Sequence, residues 1–469
     1  MLLLPMRKLK KMGSLCLWLF FSISTAHAVP TNFSDVDKNT FRFGLSDVHY
    51  FTQSADALPA QRVGYFAASV GYDAYRATDK LEAEFNGEAM LGLHSGGYHS
   101  YDVHEAYIAT KPSSWQLVFG RKREDWSTVD SYWSLGLFQP RFRWDYLQEQ
   151  QDGLAGFFLH YKAPDNSSEL TVFATPLFIP ELGTSKDISG GVCKTNSPWF
   201  SCPSSTVLLF NQATTLNLTL HFPGIRDVLD NPGTGISYRV GNPEHGLWSR
   251  ASFAYKPMNQ ILLNYIGQLN LSTLTLPIDV YTRVLYHQIY AADVGIAGAN
   301  TKITGSVIQE NTKADTPASN WNIQTTKNAT VASGLLQQNL HGRGLASTQA
   351  EISYIHVEGG NAPDSGSFAT SSPTGIFEPR YMFSDAYSIA LLGPILESWA
   401  GIFKASVKFI YIPIHKENIF VSDFFYNFSS RWMLNAGLDM LGSTAADNVD
   451  IVSKFQHNSR ARGGLYYVF

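Results

Sequence analysis

Along most of the chain apolar and polar residues alternate one by one, in runs of about nine to thirteen residues divided by turn-forming segments. A period of two is the spacing of a β-strand with one apolar and one polar face. From Leu81 to Ala89 the apolar and small residues take the odd positions, and Glu82, Glu84, Asn86 and Glu88 take the even ones. From Phe403 to Tyr411 the odd positions are again apolar, and Lys404, Ser406 and Lys408 share the other face. Trp432, Leu434, Ala436, Leu438 and Met440 alternate with Met433, Asn435, Gly437 and Asp439, while Ala155, Phe157, Leu159 and Tyr161 alternate with Gly156, Phe158 and His160. No amphipathic helix of any length stands out. The pattern therefore predicts an all-β chain whose strands have lipid on one side and water on the other.

The spacing between runs sharpens this. Short polar turns, such as 111–114, 256–259 and 298–300, alternate with long connections near 124–150, 178–232, 312–345, 359–380 and 443–458. Short turns at one end and long loops at the other belong to a transmembrane antiparallel β-barrel, with the short turns periplasmic and the long loops external. The segment count gives about 16 strands, within 14–18. In a closed barrel the first and last strands pair. The Glu82 strand is third from the start and the Lys404 strand fourth from the end, about six strands apart. With about 16 strands that sets them on nearly facing walls. Glu82, Glu84 and Glu88 are the pore-lining candidates on one wall, and Lys404, Lys408 and Arg462 those on the other.

The two ends of the chain carry the remaining signals. Arg7, Lys8, Lys10 and Lys11 precede an apolar run from Leu15 to Ile23, and Ala26-His27-Ala28 supplies a small-x-small cleavage site. Residues 1–28 read as a signal peptide cleaved after Ala28, and 29–469 as a single barrel domain. Cys16 leaves with the peptide. No later stretch approaches the ~20 apolar residues of a spanning helix. At the other end, Arg462-Gly463-Gly464-Leu465-Tyr466-Tyr467-Val468-Phe469 sets Arg462, Gly464, Tyr467 and Phe469 at the four fixed places of a barrel assembly signal, with Leu465, Tyr467 and Phe469 on one face. By export signal, terminal octet and strand rhythm the chain resembles Gram-negative outer-membrane β-barrel proteins of the porin kind, without matching one porin family motif by motif. The resemblance implies location in the outer membrane among its lipids, insertion by the barrel assembly machinery and passive passage of small hydrophilic solutes. A homotrimer is compatible with it.

Charge and composition fit that picture. The formal net charge of −4 becomes −8 once the four cations of the signal peptide are gone, which argues against a nucleic-acid partner. Aromatic residues at 13% suit the two interfacial girdles of a barrel. Cys193 and Cys202 remain in the mature chain, and a disulfide closing one surface loop fits an oxidising compartment. With no His or third Cys between them, a metal there is the weaker reading, and neither metal nor cofactor is expected.

The segment 120–152 concentrates chemistry. Arg121, Arg123, Asp125, Asp130, Arg141, Arg143 and Asp145 are interleaved with Trp126, Tyr132, Trp133, Phe138, Phe142, Trp144 and Tyr146. So many aromatics are costly on a solvated loop. The expectation is a loop folded inward, packing its rings on the wall and presenting mixed charge as a constriction, with stacking on sugar rings as the rival role. Ser127 with Asp130 three residues later predicts the capped start of a short helix. The alternative function is a surface carbohydrate-binding or structural barrel. An outer-membrane hydrolase is weaker still: His457-Asn458-Ser459 lacks the His-x-Ser-Asn-Gly arrangement of the outer-membrane phospholipases, and the paired Asp and His-Asp of the omptins are missing. The reading is not an enzyme.

Overall fold

The alternation of the strands becomes the two sides of one wall. In the computed structural model 18 strands form a single closed antiparallel barrel: β1 (Asn39–Tyr50), β2 (Gly64–Ala77), β3 (Leu81–Gly92), β4 (His99–Thr110), β5 (Trp115–Lys122), β6 (Leu154–Lys162), β7 (Ser168–Thr175), β8 (Gly233–Asn242), β9 (His245–Pro257), β10 (Tyr286–Ala297), β11 (Thr301–Thr312), β12 (Ala329–Gly342), β13 (Leu345–Gly359), β14 (Asp385–Gly393), β15 (Phe403–Ile412), β16 (Glu417–Asn427), β17 (Trp432–Gly442) and β18 (Arg460–Val468). Each pairs with its sequence neighbour, and β18 returns to β1 in the register Arg42↔Val468 to Tyr50↔Arg460. The terminal octet is thus the closing strand, and Phe469 packs edge-on against Phe41 at 5.1 Å. The structure describes residues 39–51, 64–93, 99–183, 187–189, 192–194, 197–200, 206–209, 211–313, 322–323, 326–342, 345–360, 380–394, 402–414, 416–444 and 451–469. The signal-peptide region and the Cys193–Cys202 pairing fall outside what is described of the chain and its side chains.

Outward positions keep large apolar side chains exposed, among them Ile108, Leu117, Val294, Ile296, Ile303, Val307, Ile352 and Ile389. Aromatic pairs flank this band. Near the chain ends lie Trp115–Tyr161 (4.7 Å) and Trp432–Tyr467 (4.8 Å), and near the opposite rim Tyr255–Tyr286 (5.2 Å) and Tyr354–Tyr387 (4.8 Å). These are cross-strand neighbours, each contributing about 0.5–1.5 kcal/mol beyond simple burial. An apolar outer band between two aromatic girdles is the surface a bilayer requires.

The connections separate cleanly. At the rim holding both ends of the barrel lie 78–80, 111–114, 163–167, 243–244, 298–300, 343–344, 394–402 and 428–431; the opposite rim carries 123–153, 176–232, 258–285, 313–328, 360–384 and 443–459, with three shorter connections. Two sequence expectations fail here, and the strand number is 18 where about 16 was expected. The supposed connection 312–345 contains β12, whose inward Ala329 and Val331 are buried in the interior cluster. With apolar residues on its inner face as well, β12 loses the alternation that would have marked it. The supposed short turn at 256–259 opens the long connection 258–285. Its strands Leu262–Gly267 and Thr275–Arg283 join Thr206–Leu209, Gln212–His221 and Asn322–Ile323 in a separate five-stranded sheet. Leu216, Leu218, Tyr265, Ile278 and Val280 form that sheet's own buried face.

Candidate functional site: a loop across the barrel interior

The segment between β5 and β6 crosses the interior and is held on the far wall. Its helix α1 (Thr128–Trp133) starts against Asp293 of β10, which accepts from the Thr128 backbone N–H (2.9 Å) and the Ser127 hydroxyl (3.1 Å). The expected Ser127–Asp130 cap does not form, because the wall supplies the capping carboxylate and draws Ser127 to itself. Asp130 turns the other way and accepts the backbone N–H groups of Leu137 (2.9 Å) and Phe138 (3.1 Å). Burial raises the Asp130 carboxyl above its ordinary range, against those two donors.

A row of small inward hydroxyls meets the rest of the helix. Ser252 of β9 donates to the Trp126 carbonyl (2.6 Å), Trp133 Nε1 donates to Ser353 of β13 (3.1 Å), and the Tyr132 hydroxyl bonds Ser388 of β14 (3.0 Å). Lys408 of β15 lies over the Tyr132 ring at 4.5 Å and the Trp133 ring at 5.5 Å. Burial pushes the Tyr132 hydroxyl up to about 12. Trp126, Val129, Trp133, Leu137 and Phe138 pack with Phe158, Phe173, Ile289 and Ile355 of the wall into one interior cluster. The chain turns back at Gly136 (φ +68°), where a Cβ would collide with the Arg141 side chain.

The returning half is bound by charge. Arg141 and Arg143 share Glu149 (3.4 and 2.7 Å) and Glu181 (3.1 and 3.6 Å). Asp145 pairs with Arg460 of β18 (2.6 Å), and Arg460 and Arg462 share Asp439 of β17 (2.7 and 2.8 Å). Arg462 also binds Asp423 of β16 at 2.9 Å. At the root of the loop Arg121 pairs with Asp152 (3.0 Å), Arg123 with Glu105 (2.7 Å) and Asp125 with Arg250 (2.8 Å).

On β3, Glu82 accepts from Tyr75 (2.9 Å) and Gln116 (2.6 Å), Glu84 accepts from Tyr107 (2.6 Å), and Glu88 lies 3.7 Å from His104. Lys404 precedes Lys408 on the same face of β15. The facing-wall expectation is corrected by the strand count. β3 and β15 remain six strands apart, but in a ring of 18 that is a third of the circumference.

Between the loop and the β15–β16 wall lies a cavity of about 310 Å³. One side is apolar, with Leu135, Leu147, Met382, Ile410, Ile419 and Val421; the other presents Arg141, Glu149, Arg380, Lys408 and Asp423. Both carboxylates are doubly engaged, Glu149 by two arginines and Asp423 by the fork of Arg462. Lys408 has no carboxylate partner among the described residues, and Arg380, bonded to Glu310 at 3.2 Å, keeps Nε and Nη1 buried without a hydrogen bond. Sequence reasoning missed Asp293, Glu310, Arg380 and Glu181. Asp293 carried a signal, as the lone carboxylate in the inward register of β10; Arg380 and Glu181 sit in connections without period.

No protein-family model matches this chain, and none of the curated proteins does. Among solved structures, Acinetobacter baumannii OccAB4 is 12% identical over 92% of this chain and 97% of its own, with a TM-score of 0.44. A BenF-like porin from Pseudomonas fluorescens Pf-5 is 10% identical over 93% and 98%, at 0.47. Salmonella typhi OmpF, in complex with daunomycin, is 11% identical over 92% and 98%, at 0.38. The class defined by the fold itself is a closed 18-stranded antiparallel β-barrel with an apolar outer wall and a loop folded through its interior.

Proposed function

We propose that the protein is an outer-membrane porin-like channel for passive diffusion of small hydrophilic solutes, with the 120–152 segment as its constriction. The observation that carries this reading is the cavity beside the inward loop: a bilayer-suited barrel holds a polar, charged space within it, against a loop tied to the far wall. Export through the 1–28 signal peptide and assembly through Arg462, Gly464, Tyr467 and Phe469 belong to the same reading, with the rim of long connections external. The cavity's carboxylates are neutralised by arginines while Lys408 has no carboxylate partner among the described residues, which supports a preference for anions through a narrow, low-dielectric passage.

The test is single-channel conductance of the refolded mature chain in planar bilayers, beside a Lys404→Gln/Lys408→Gln variant. Stable open steps are expected, with reversal potentials favouring anions in the wild type and shifted toward cations in the variant. A barrel that stays closed at every voltage and salt concentration would end the channel reading. One feature favours the alternative of a surface carbohydrate-binding barrel: the separate sheet presents His221 stacked on Tyr281 at 4.4 Å, beside Asp279. Sugar affinity without conductance would select it.

A further inference from the structure

We propose that Asp102, His104 and Asp152 form a binding site for one divalent transition-metal ion, of the zinc, cobalt or manganese kind, at the root of the inward loop. Asp102 and His104, two residues apart on β4, share its inward face, and the bulge in the β3–β4 pairing between Asn86 and Gly87 leaves His104 as the unpaired extra residue. Asp152, the residue before the loop rejoins the wall at Gly153, meets them 48 positions later. All three are buried, and one donor atom of each lies within 4.8 Å of the others.

The three donors converge on one point. His104 Nδ1 stands 2.7 Å from Asp152 Oδ1 and 2.9 Å from Asp102 Oδ2. A ring nitrogen carries one proton or one lone pair and cannot serve two carboxylates equally. Donor atoms bound tetrahedrally to one metal at about 2.0–2.2 Å lie about 3.3–3.6 Å apart, so an ion entering here replaces the hydrogen-bond contacts of His104 and widens them by about half an ångström. Asp102 Oδ2 is buried and lies inside the group, against His104 Nδ1. The surroundings fix the ligands as outer partners fix metal ligands. The outward oxygen of Asp102 accepts the Val103 N–H at 2.8 Å and lies 3.5 Å from Arg121, whose other nitrogen holds the outward oxygen of Asp152 at 3.0 Å. Glu88 faces the far side of the imidazole at 3.7 Å from Nε2.

The carboxylates of Asp102 and Asp152 share the single guanidinium of Arg121, so the pair keeps a negative charge that a bound cation offsets. One imidazole with two carboxylates selects a borderline ion over calcium or magnesium, which prefer all-oxygen sets. Bound there, the ion joins β4 to the end of the loop and stiffens the constriction at its base.

The experiment is calorimetric titration of zinc into the refolded, chelator-treated, untagged mature chain, with cobalt absorption as a second readout. One saturable equivalent and a visible d–d band are expected, both weakened by about 100-fold or lost in His104→Gln and in Asp152→Asn. Asp279→Asn, which alters the exposed His221–Asp279 pair, leaves them unchanged. Absence of a saturable equivalent in the wild type overturns the proposal whether or not the variants fold, and assigns His104 a proton in place of a metal. Undiminished binding in both variants overturns it equally. Conductance is read separately, so failure of the channel reading leaves this test standing.

Discussion

Single side chains hold the interior loop through charges that water does not reach, and Glu181 is the clearest of them. Burial pushes its carboxyl upward, yet the guanidinium groups of Arg141, Arg143 and Arg380 outweigh that and hold it below the ordinary range. A carboxylate whose folded pKa lies below its unfolded one contributes stability above the unfolded value and loses it as pH falls through the folded one. Conductance and thermal stability should therefore hold steady from neutral pH down to about 4 to 5, the ordinary glutamate range, and change below it. In Glu181→Gln the acid limb should flatten, at the cost of a lower neutral-pH stability, since Arg141 and Arg143 then have Glu149 alone as their shared carboxylate. An unaltered acid limb in bilayer recordings of that variant would assign the transition to other carboxylates.

At the scale of elements, the loop's helix is too short to stand alone and depends on what the wall offers it. Asp293→Ala removes the acceptor for Thr128 N–H and the Ser127 hydroxyl inside the barrel, at a cost of about 1–3 kcal/mol. The expected outcome is a lower unfolding temperature together with larger, noisier current steps as the loop loosens. Equal step size and noise would mean that the loop is held without this cap. How far these elements could be foreseen follows from the same physics. β3, β15 and β17 were legible because one face meets lipid and the other polar groups. β12 was hidden where Ala329 and Val331 meet the packed interior instead of water. The inward course of the loop was legible from Trp126, Trp133 and Phe138, which had nowhere else to go. Its anchors were not, because Ser252, Ser353 and Ser388 are ordinary lumen-facing serines until a tryptophan or tyrosine arrives opposite them.

For the whole molecule, the strict alternation of connections makes the two rims chemically unlike. One rim holds the shorter connections and both ends of the barrel, while the other supports a five-stranded sheet assembled from three separate connections, 176–232, 258–285 and 313–328. That sheet needs contributions distant in sequence, such as the parallel pairing of Gln212–His221 with Thr275–Arg283, and no local pattern announces it. Its exposed face carries Asn217 and Thr219 on the side opposite the buried Leu216 and Leu218. If the long-connection rim is external, Asn217→Cys reacts with a membrane-impermeant thiol reagent in intact cells. Ser113→Cys, in the short 111–114 turn, reacts only after the outer membrane is permeabilised. Both positions are exposed, so the reagent's reach from one side of the membrane is what the labelling reads. Labelling of Ser113→Cys alone in intact cells would invert the barrel, turning the sheet and every long connection toward the periplasm and leaving the constriction to be entered from the side of the short turns.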